Sequence, residues 1–446
     1  MHTATAPAAQ SAKISPLEGV TAYHWLVVII ASCGWLFDCM DQRIFTLARQ
    51  PALKSLLAGD PEKLKVLTEY SGYATAAMLI GWATGGIIFG ILSDKIGRVK
   101  TMATTLLIYA SFTGISGLAH TWVDFFVYRF LAGVGIGGMF GAATALVAES
   151  VPGNFRSVAL GSLQALSACG NIIGSFVSIA IKPGDPHFLG KYEGWRVLFF
   201  IGIVPALLVV PIILVLKEPE AWKKIKAEAA AGIAGRRVGS PVELFRHPRW
   251  RHHTIIGLML GVSGMIGLWG IGFFSPELIS AALKEAPQSK VDLIRGWGTA
   301  FQDMGAFAGM LTFTFVASYF NRRVAFLGGL LLAMGVTMFV FKSLHTATDA
   351  YWMLPIMGFA QLTVFAGYSI YFPELFPTRL RGTGVGFCYN TVRYITAAGP
   401  PLLGIFSRSI GLRNAAVAMS SVYLIGMIAL IWAPETKGKP LPEDLD

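Results

Sequence analysis

The sequence predicts an all-α integral membrane protein in which twelve spanning helices form two six-helix bundles. Three observations predict this fold: an apolar composition, a series of helix-length apolar segments, and an internal repeat between the two halves. Of the 446 residues, 54% are hydrophobic and only 14% are charged, and the mean hydropathy is +0.59. A soluble chain of this length needs a more highly charged surface, so the composition favours a membrane protein.

The same composition argues against several other classes of protein. The net charge of +11 would suit nucleic-acid binding, but the basic residues fall between apolar segments, where they are typical topology signals. The four cysteines lie within apolar stretches and lack the spacing of metal ligands. The sequence contains no nucleophile–base cluster or nucleotide-binding loop. We therefore predict neither an enzyme, nor a metal site, nor a bound cofactor.

Twelve apolar segments are long enough to cross a bilayer, which requires about 20 residues of helix. Six of these segments precede a polar stretch and six follow it. The first six start near His24, Ser71, Thr101, Thr121, Ser157 and Trp195, and the second six start near His253, Gly296, Val324, Tyr351, Gly382 and Arg413.

These segments divide the chain into five parts. A tail covers residues 1–22, a first bundle 23–216, a basic linker 217–252, a second bundle 253–433 and a second tail 434–446. The linker is rich in Ala, Glu and Lys, which predicts a helix lying at the membrane surface. The loops on the side of the two termini carry more Lys and Arg than the opposite loops. By the positive-inside rule, both termini are predicted to be cytoplasmic.

A repeated motif relates the two halves of the chain. Glu, Pro, Arg and Gly occupy positions 149, 152, 156 and 161, and they recur with identical spacing at 374, 377, 381 and 386. A weaker pair of motifs has Gly, Gly and Arg at 81, 85 and 98 and again at 305, 309 and 322. Parallel six-helix repeats predict two similar bundles that rock about a central site, the architecture of many secondary transporters.

The loop between the second and third segments resembles the signature of the major facilitator superfamily. It reads GILSDKIGRVK over residues 90–100, with Gly90, Asp94, Gly97 and Arg98 on a tight turn. A plain basic loop would need neither the glycines nor the acid at these spacings. The resemblance implies that Asp94 meets the amino end of the eleventh helix, near residues 382–384, and closes the cytoplasmic side. Such a contact is favourable because a helix amino terminus attracts a carboxylate.

Further segments resemble other motifs of this superfamily. Arg129, in RFLAGVG on the fourth segment, resembles a motif whose intramembrane arginine is linked to proton transfer. The repeated Glu–Pro–Arg motifs resemble the cytoplasmic motifs of sugar and organic-acid porters. The corresponding loop of the second half, at residues 318–323, lacks the acid. The conformational latch is predicted to comprise Gly90, Asp94, Gly97, Arg98, Glu149, Arg156, Glu374 and Arg381.

Two segments are similar to those of aromatic-acid and metabolite:proton symporters. Asp38-Cys-Met-Asp41 matches their D-x-x-D, with Cys39 in place of the usual Gly, and Asn390-Thr-Val-Arg393 resembles their Arg-bearing eleventh helix. The paired glutamines and the stacking tryptophan of sugar porters are missing from the seventh and tenth segments. The resemblance implies uptake of a small organic anion, a carboxylate or sugar acid, driven by the proton gradient. The alternative is proton-coupled symport of a sugar or another neutral metabolite.

Charges inside the apolar segments need an explanation, because each costs about 2.5–3.5 kcal/mol at mid-bilayer. Asp38 and Asp41 share a helix face, and their burial and mutual repulsion favour a bound proton. With Arg129, they are the candidates for proton coupling, and the alternative is a structural pair neutralised by Arg43 or by another helix. The forked guanidinium group of Arg393 suits a substrate carboxylate. The alternative for Arg393 is a salt bridge to Asp38, Asp41 or the acid at position 303.

The remaining candidates are polar or aromatic side chains at membrane depth. The polar ones would either bind substrate or join helices, and the aromatic ones, with Trp35, would line a cavity or lie at the interface. These substrate-binding candidates are Asn390, Gln164, Asn171, Trp269 and Asp303. The predicted partners are an anionic small molecule, protons and the lipid bilayer, without nucleic acid. The chain is predicted to act as a monomer in the inner or plasma membrane of the cell.

Overall fold

A computed structural model describes residues 17–65, 67–181, 183–188, 190–231, 238–397, 406 and 409–443. Within these ranges the chain is helical, and the one β interaction is an isolated bridge between Phe188 and Tyr192. Most of the predicted first tail, the middle of the predicted linker and the last three residues lie outside the described part of the chain.

The first half contains five long helices and one broken helix. A 3-10 turn, Val204–Leu208, joins the two pieces of the broken helix, and a short helix follows the first long one. The helices are Ala22–Leu56 (α1), Pro61–Lys65 (α2), Leu67–Ile96 (α3), Arg98–Ser116 (α4), Trp122–Ser150 (α5), Gly153–Ile181 (α6), Gly194–Ile201 (α7) and Val209–Val215 (α8).

Two short linker helices separate this half from the second half. The first long helix after the linker passes through a π-helical turn, Ile266–Ile271, and a 3-10 turn, Gly272–Phe274. The helices are Glu220–Ala230 (α9), Pro241–Arg246 (α10), Pro248–Met265 (α11), Ser275–Ala282 (α12), Gln288–Tyr319 (α13), Arg322–Ser343 (α14), Ala347–Leu375 (α15), Arg381–Thr396 (α16), Leu412–Met419 (α17) and Tyr423–Trp432 (α18).

Nine helical stretches of the described residues are long and apolar enough to cross a membrane. The other three predicted segments coincide with α4, α13 and α16, which are helical but are shorter or more polar. Gln302 and Asp303 lie on α13, and Asn390 and Arg393 lie on α16. These polar residues lower the hydropathy of their helices, so the number of twelve spans stays a prediction.

The same local device starts equivalent helices in the two halves. Thr121 caps α5 by accepting a hydrogen bond from the Asp124 backbone N–H at 3.1 Å, and Asp124 accepts one in return from the Thr121 N–H at 2.9 Å. Thr346 and Asp349 form the same capping box at the start of α15, at 3.2 and 2.8 Å. A reciprocal cap of this kind satisfies two backbone donors that the helix leaves free.

Equivalent glycines also pack helices against each other in both halves. A Cβ atom added at Gly85 on α3 would collide with the Val134 carbonyl oxygen on α5, and one added at Gly309 on α13 would collide with the Phe359 carbonyl oxygen on α15. Small residues allow this close backbone approach in membrane proteins. The weaker sequence repeat therefore has a structural basis in helix packing.

We expect Gly→Ala substitutions at two positions, Gly85 and Gly335, to have different effects on the stability of the protein. Gly85→Ala should lower the melting temperature of the purified protein, because the Val134 backbone has to move, and overpacking costs about 1–3 kcal/mol. Gly335→Ala on α14 is the control, since a Cβ atom there meets no atom within 4 Å. It should leave the melting temperature unchanged or raise it, because Ala favours a helix by about 0.5–1 kcal/mol. Equal losses in both variants would contradict the packing argument.

Candidate functional site

A cavity of about 470 Å³ lies between the two halves and is lined by residues of both. The first half contributes residues of α1, α3 and α6, and the second half contributes residues of α13, α15, α16 and the irregular end of the α11 helix. Five of the predicted substrate-binding residues line this cavity: Gln164, Asn171, Trp269, Asp303 and Arg393.

Aromatic rings form much of the deep part of the cavity wall. The ring centroid of Trp35 lies 6.3 Å from that of Trp82 and 6.3 Å from that of Tyr389, in edge-on arrangements. Tyr389 stacks on Phe140 at 3.9 Å, which fixes the orientation of its ring. The sequence analysis did not single out Trp82 and Tyr389, because an apolar helix rich in aromatic residues gives no sign of which rings face a cavity.

Arg393 is held at the cavity wall by its own helix and by aromatic rings. Its Nη1 donates to the Tyr389 carbonyl oxygen and to Asn390 Oδ1, both at 2.8 Å. Its Cζ lies 4.2 Å from the ring centroid of Trp82 and 4.5 Å from that of Tyr389. Its Nε has no hydrogen-bond partner among the described residues. No described carboxylate pairs with it, since Asp41 and Asp303 pair with other arginines. Arg393 is therefore a buried cation whose countercharge is missing.

Asn390 supports Arg393 from within the helix and does not line the cavity. Its side chain is fully buried, and it accepts the hydrogen bond from Arg393 while its Nδ2 donates to the Gly386 carbonyl oxygen at 2.9 Å. Both ends of the amide are thus used inside the protein. In this structure Asn390 therefore orients the Arg393 side chain.

Asp41 and Arg129 form an ion pair inside the first half. Arg129 Nη2 lies 2.9 Å from Asp41 Oδ2, and both side chains are inaccessible to solvent. Arg129 also donates to Thr113 Oγ1 at 3.3 Å, and its Cζ lies 4.8 Å from the ring centroid of Phe45. The two predicted coupling residues are therefore in contact, but they lie behind the cavity wall.

Asp38 lies one turn before Asp41 on α1 and is also buried in the first half. Its side chain is 1% exposed, and neither carboxyl oxygen has a hydrogen-bond partner among the described residues. The buried hydroxyl of Tyr109 is close enough to interact with it, but the geometry is not that of a hydrogen bond. Asp38 is thus an acid in an apolar setting without a compensating cation.

Asp303 is paired with Arg43 across the cavity. Arg43 Nη2 on α1 donates to Asp303 Oδ2 on α13 at 2.5 Å, so this ion pair joins the two halves. The sequence analysis considered Arg43 as a partner of the acids on its own helix, whereas in the structure its partner is the acid of the opposite half. The two side chains remain 23% and 18% exposed.

The two halves are also joined at the end of the molecule where α3 ends and α16 begins, which we call the closed end. Asp94 accepts hydrogen bonds there from the backbone N–H groups of Gly382 and Thr383, at 3.0 and 2.8 Å, and from Thr383 Oγ1 at 2.6 Å. Asp94 also lies 3.1 Å from Arg98 Nη2. The acid therefore meets the helix amino terminus near which the sequence motif predicted it.

Glu149 links three elements beside Asp94. It pairs with Arg98 of its own half at 3.0 Å and with Arg381 of the second half at 2.5 Å. Arg98 also donates to the Thr378 carbonyl oxygen of the second half at 2.7 Å. All three charged side chains are inaccessible to solvent. This charged cluster holds the two halves together. Moving the halves apart would take Arg381 away from Glu149, and a buried ion that loses its partner is unfavourable.

The second half contains a related but different cluster. Arg322 pairs with Glu374 at 2.9 Å, and its Nη2 donates across to Ser157 Oγ of the first half at 2.6 Å. Arg156 donates through Nε to the Ala148 carbonyl oxygen at 3.1 Å, and it has no ion pair with Glu374 among the described residues. The second half lacks a counterpart of Asp94, so its cluster forms a weaker link between the two halves.

Gly90 and Gly97, the two glycines of the predicted latch, are each required for a different physical reason. A Cβ atom at Gly90 would lie only 2.7 Å from the Gly382 carbonyl oxygen and 3.3 Å from the Gly386 Cα, so Gly90 lets α3 and α16 approach across the halves. Gly97 has φ +120°, which non-glycine residues rarely adopt. Its conformation starts α4 directly after α3, which places Arg98 beside Asp94.

Two acids at the closed end have roles that the sequence analysis did not assign. Glu218 accepts hydrogen bonds from the backbone N–H groups of Arg98 and Val99 at 2.7 and 3.0 Å, at the start of α4. Glu435 does the same for α14 through Arg322 at 3.0 Å. Although burial raises the pKa of Glu435, these backbone N–H hydrogen bonds hold its pKa below the ordinary value. Each acid follows the last residue of the preceding helix by three positions, Val215 for Glu218 and Trp432 for Glu435, so the two acids occupy equivalent positions in the two halves.

The linker contacts both halves at the closed end. Trp222 on α9 is buried, and its Nε1 donates to the Asp94 carbonyl oxygen at 2.7 Å. Further along, the Gly239 N–H donates to the Arg379 carbonyl oxygen at 2.9 Å, and Glu243 pairs with Arg379 at 2.9 Å. The described parts of the linker therefore rest on the latch residues.

Two repeated helical halves that enclose a charged cavity and are locked at one end define a class of membrane transporter. This chain belongs to the major facilitator superfamily, whose family model matches residues 32–398. The solved structure of the proton:xylose symporter XylE bound to 6-bromo-6-deoxy-D-glucose has the same fold, with a TM-score of 0.76 at 18% identity, over 94% of this chain and 98% of that one. The chain is thus a multi-pass transporter of the cell membrane and not an enzyme.

Two of the proteins similar to this chain are named as transporters of organic acids, as the sequence resemblance predicted. The chain is 27% identical to the cis,cis-muconate transport protein of Acinetobacter baylyi, over 84% of this chain and 87% of that one. It is 24% identical to the benzoate transport protein of the same organism, over 86% and 84% of the two chains.

Asp94→Asn should favour opening of the closed end. The amide cannot accept hydrogen bonds as a carboxylate does, and it loses the pair with Arg98, a change of about 1–3 kcal/mol. The distance between spin labels at Lys100 and Lys437, one on each half, should shift toward longer values. Asp349→Asn removes a helix-capping acid within one half and serves as the control. An unchanged distance distribution in Asp94→Asn would remove Asp94 from the latch.

Proposed function

We propose that this transporter imports a small organic anion together with protons, by alternating access of one cavity to the two sides of the membrane. The observation that carries this proposal is Arg393, a buried cation at the cavity wall with an unused Nε and no carboxylate partner among the described residues. A buried unpaired charge is costly. An incoming carboxylate compensates it with charge-assisted, bidentate hydrogen bonds.

The overall charge of the cavity wall supports an anionic substrate. Among the described lining residues, Arg43, Arg49 and Arg393 are cations and Asp303 is the single acid. A neutral sugar needs no such excess of positive charge. The wall also carries neutral hydrogen-bonding groups, among them Gln164, Asn171 and Gln302, so the excess of cations is the feature that favours an anion over a sugar.

The aromatic wall supports a flat or conjugated organic acid. Trp35, Trp82, Phe365 and Tyr389 line the cavity near Arg393. Aromatic side chains stack favourably on unsaturated ligands. A benzoate-like or muconate-like carboxylate thus finds an apolar surface for its body and a cation for its charge, in agreement with the names of the two relatives.

Proton coupling is proposed for the acids of the first half. An ionised carboxylate in the apolar setting of Asp38 would be strongly unfavourable, so the neutral, proton-bearing form belongs to this conformation. Asp41 is already compensated by Arg129. We therefore assign the transported proton of this conformation to Asp38. Asp41 and Arg129 form the ion pair that rearranges when the halves move.

The proposed topology gives the side of the membrane that the cavity faces. Twelve spans with both termini in the cytoplasm place the basic linker and the closed end on the cytoplasmic side, as the positive-inside rule requires. The cavity then faces the opposite side, where substrate enters. Binding favours the inward-facing state only if the anion binds that state more tightly, since a ligand shifts an equilibrium through differential affinity.

Arg393→Gln should reduce the uptake of labelled benzoate into proteoliposomes at least about tenfold at subsaturating concentration, because the charge-assisted bonds are lost. Arg246→Gln, a change on the exposed side of the linker, is the matched control and should transport normally. Normal uptake by Arg393→Gln would refute the anion site. Uptake of a labelled neutral sugar by the wild-type protein, without uptake of benzoate, would favour the sugar alternative.

Asp38→Asn should abolish the proton-driven accumulation of substrate but leave the exchange of substrate across the membrane intact. The amide imitates the protonated acid but releases no proton, so counterflow of benzoate should persist while accumulation driven by an inward proton gradient should disappear. Asp60→Asn, in an exposed loop, should change neither measurement. If Asp38→Asn and Asp41→Asn both accumulate substrate fully, these acids do not couple transport to protons.

A further inference from the structure

Arg43 is a second cation on the wall of the cavity that contains Arg393. Its Nη2 donates to Asp303 Oδ2, and this is the one hydrogen bond of its side chain to the described residues. A guanidinium group carries five N–H donors. Most of the hydrogen-bonding capacity of Arg43 is therefore unused in this conformation.

The partner of Arg43 is exchangeable, unlike the partner of Arg129. The side chains of Arg43 and Asp303 are 23% and 18% exposed, whereas those of Arg129 and Asp41 are 0% exposed. Both side chains are partly accessible from the cavity, so a ligand carboxylate can reach Arg43. The Asp303 carboxylate that it displaces keeps its contact with solvent and is not left fully buried without a partner, which would be costly.

The two cations lie at different depths of the cavity. The Arg393 guanidinium group lies over Tyr389, whose ring is adjacent to Trp35 on α1. Arg43 follows Trp35 by eight residues, which is a rise of about 12 Å along a helix. Because both arginines line the same cavity, a dicarboxylate with a ring or a conjugated chain can contact the two groups together.

We propose that Arg43 is a second anion subsite, which the Asp303 carboxylate fills when substrate is absent, and that the substrates of highest affinity are dicarboxylates bound by Arg393 and Arg43 together. This inference rests on the proposed function, in which Arg393 binds the first carboxylate. It adds Arg43 and Asp303 as the residues that distinguish a diacid from a monoacid of the same skeleton.

The test compares benzoate with terephthalate, which carries one further carboxyl group opposite the first. Binding to the purified full-length protein is measured by isothermal titration calorimetry. The wild-type protein should bind terephthalate at least about tenfold more tightly than benzoate, as one added charge-assisted interaction requires. Arg43→Gln should abolish this ratio by weakening terephthalate alone, with benzoate affinity within about twofold of the wild-type value. Asp303→Asn should strengthen terephthalate binding, because the competing carboxylate is gone.

Arg49→Gln is the control for general electrostatics, because Arg49 lines the same cavity and carries the same charge. It should leave the terephthalate-to-benzoate ratio near its wild-type value. The subsite is refuted if the wild-type ratio is near one, if Arg43→Gln leaves the ratio unchanged, or if it weakens both acids equally. Unchanged benzoate binding by Arg393→Gln would instead refute the proposed function, and absence of binding of either acid to the wild-type protein would refute both.

Discussion

A charge taken out of water has to be compensated, and this constraint organises the whole interior of the protein. The cost of an uncompensated buried ion is several kcal/mol, and the structure meets it with the Asp41–Arg129 pair and the shared Glu149 cluster. Asp38 and Arg393 depart from the rule, because the first has no partner and the second has no countercharge in the described chain. A transported proton would neutralise Asp38, and a transported anion would pair with Arg393. These two residues therefore define the proposed chemistry of the transporter.

The repeat provides two similar halves, and small differences between them decide where they are joined. Both halves have the capping box and the close glycine packing of their helices. Among the described residues, the acid that meets the opposite helix terminus is Asp94 of the first half, and Arg381 of the second half reaches across to Glu149. The cluster of the second half lies at the same closed end but reaches across through the hydrogen bond from Arg322 to Ser157. The charged links of the first half are therefore the stronger ones, and a change in them alters the balance between the two orientations of the halves.

The contact of Asp94 near residues 382–384 was implied by a resemblance, because the motif at residues 90–100 is similar to the major facilitator signature, and the structure has this contact. Arg393, Gln164 and Asn171 line the cavity between the halves, and their binding of substrate stays a prediction. The Arg43–Asp303 pair was not predictable, because it depends on the rotation of α1 and α13 about their axes. The supporting position of Asn390 was missed for the same reason.

The Arg43–Asp303 pair connects substrate recognition with the movement of the halves. Arg43 belongs to the first half and both Asp303 and Arg393 belong to the second, so the pair is a link between the halves that lies within the cavity. A diacid that occupies Arg393 and displaces Asp303 from Arg43 replaces this protein link by a link through the substrate. The halves then remain joined around the ligand while the closed end separates. A diacid that makes this exchange is proposed to stabilise the intermediate states more strongly than a monoacid does, because binding that is equal in all states moves no equilibrium.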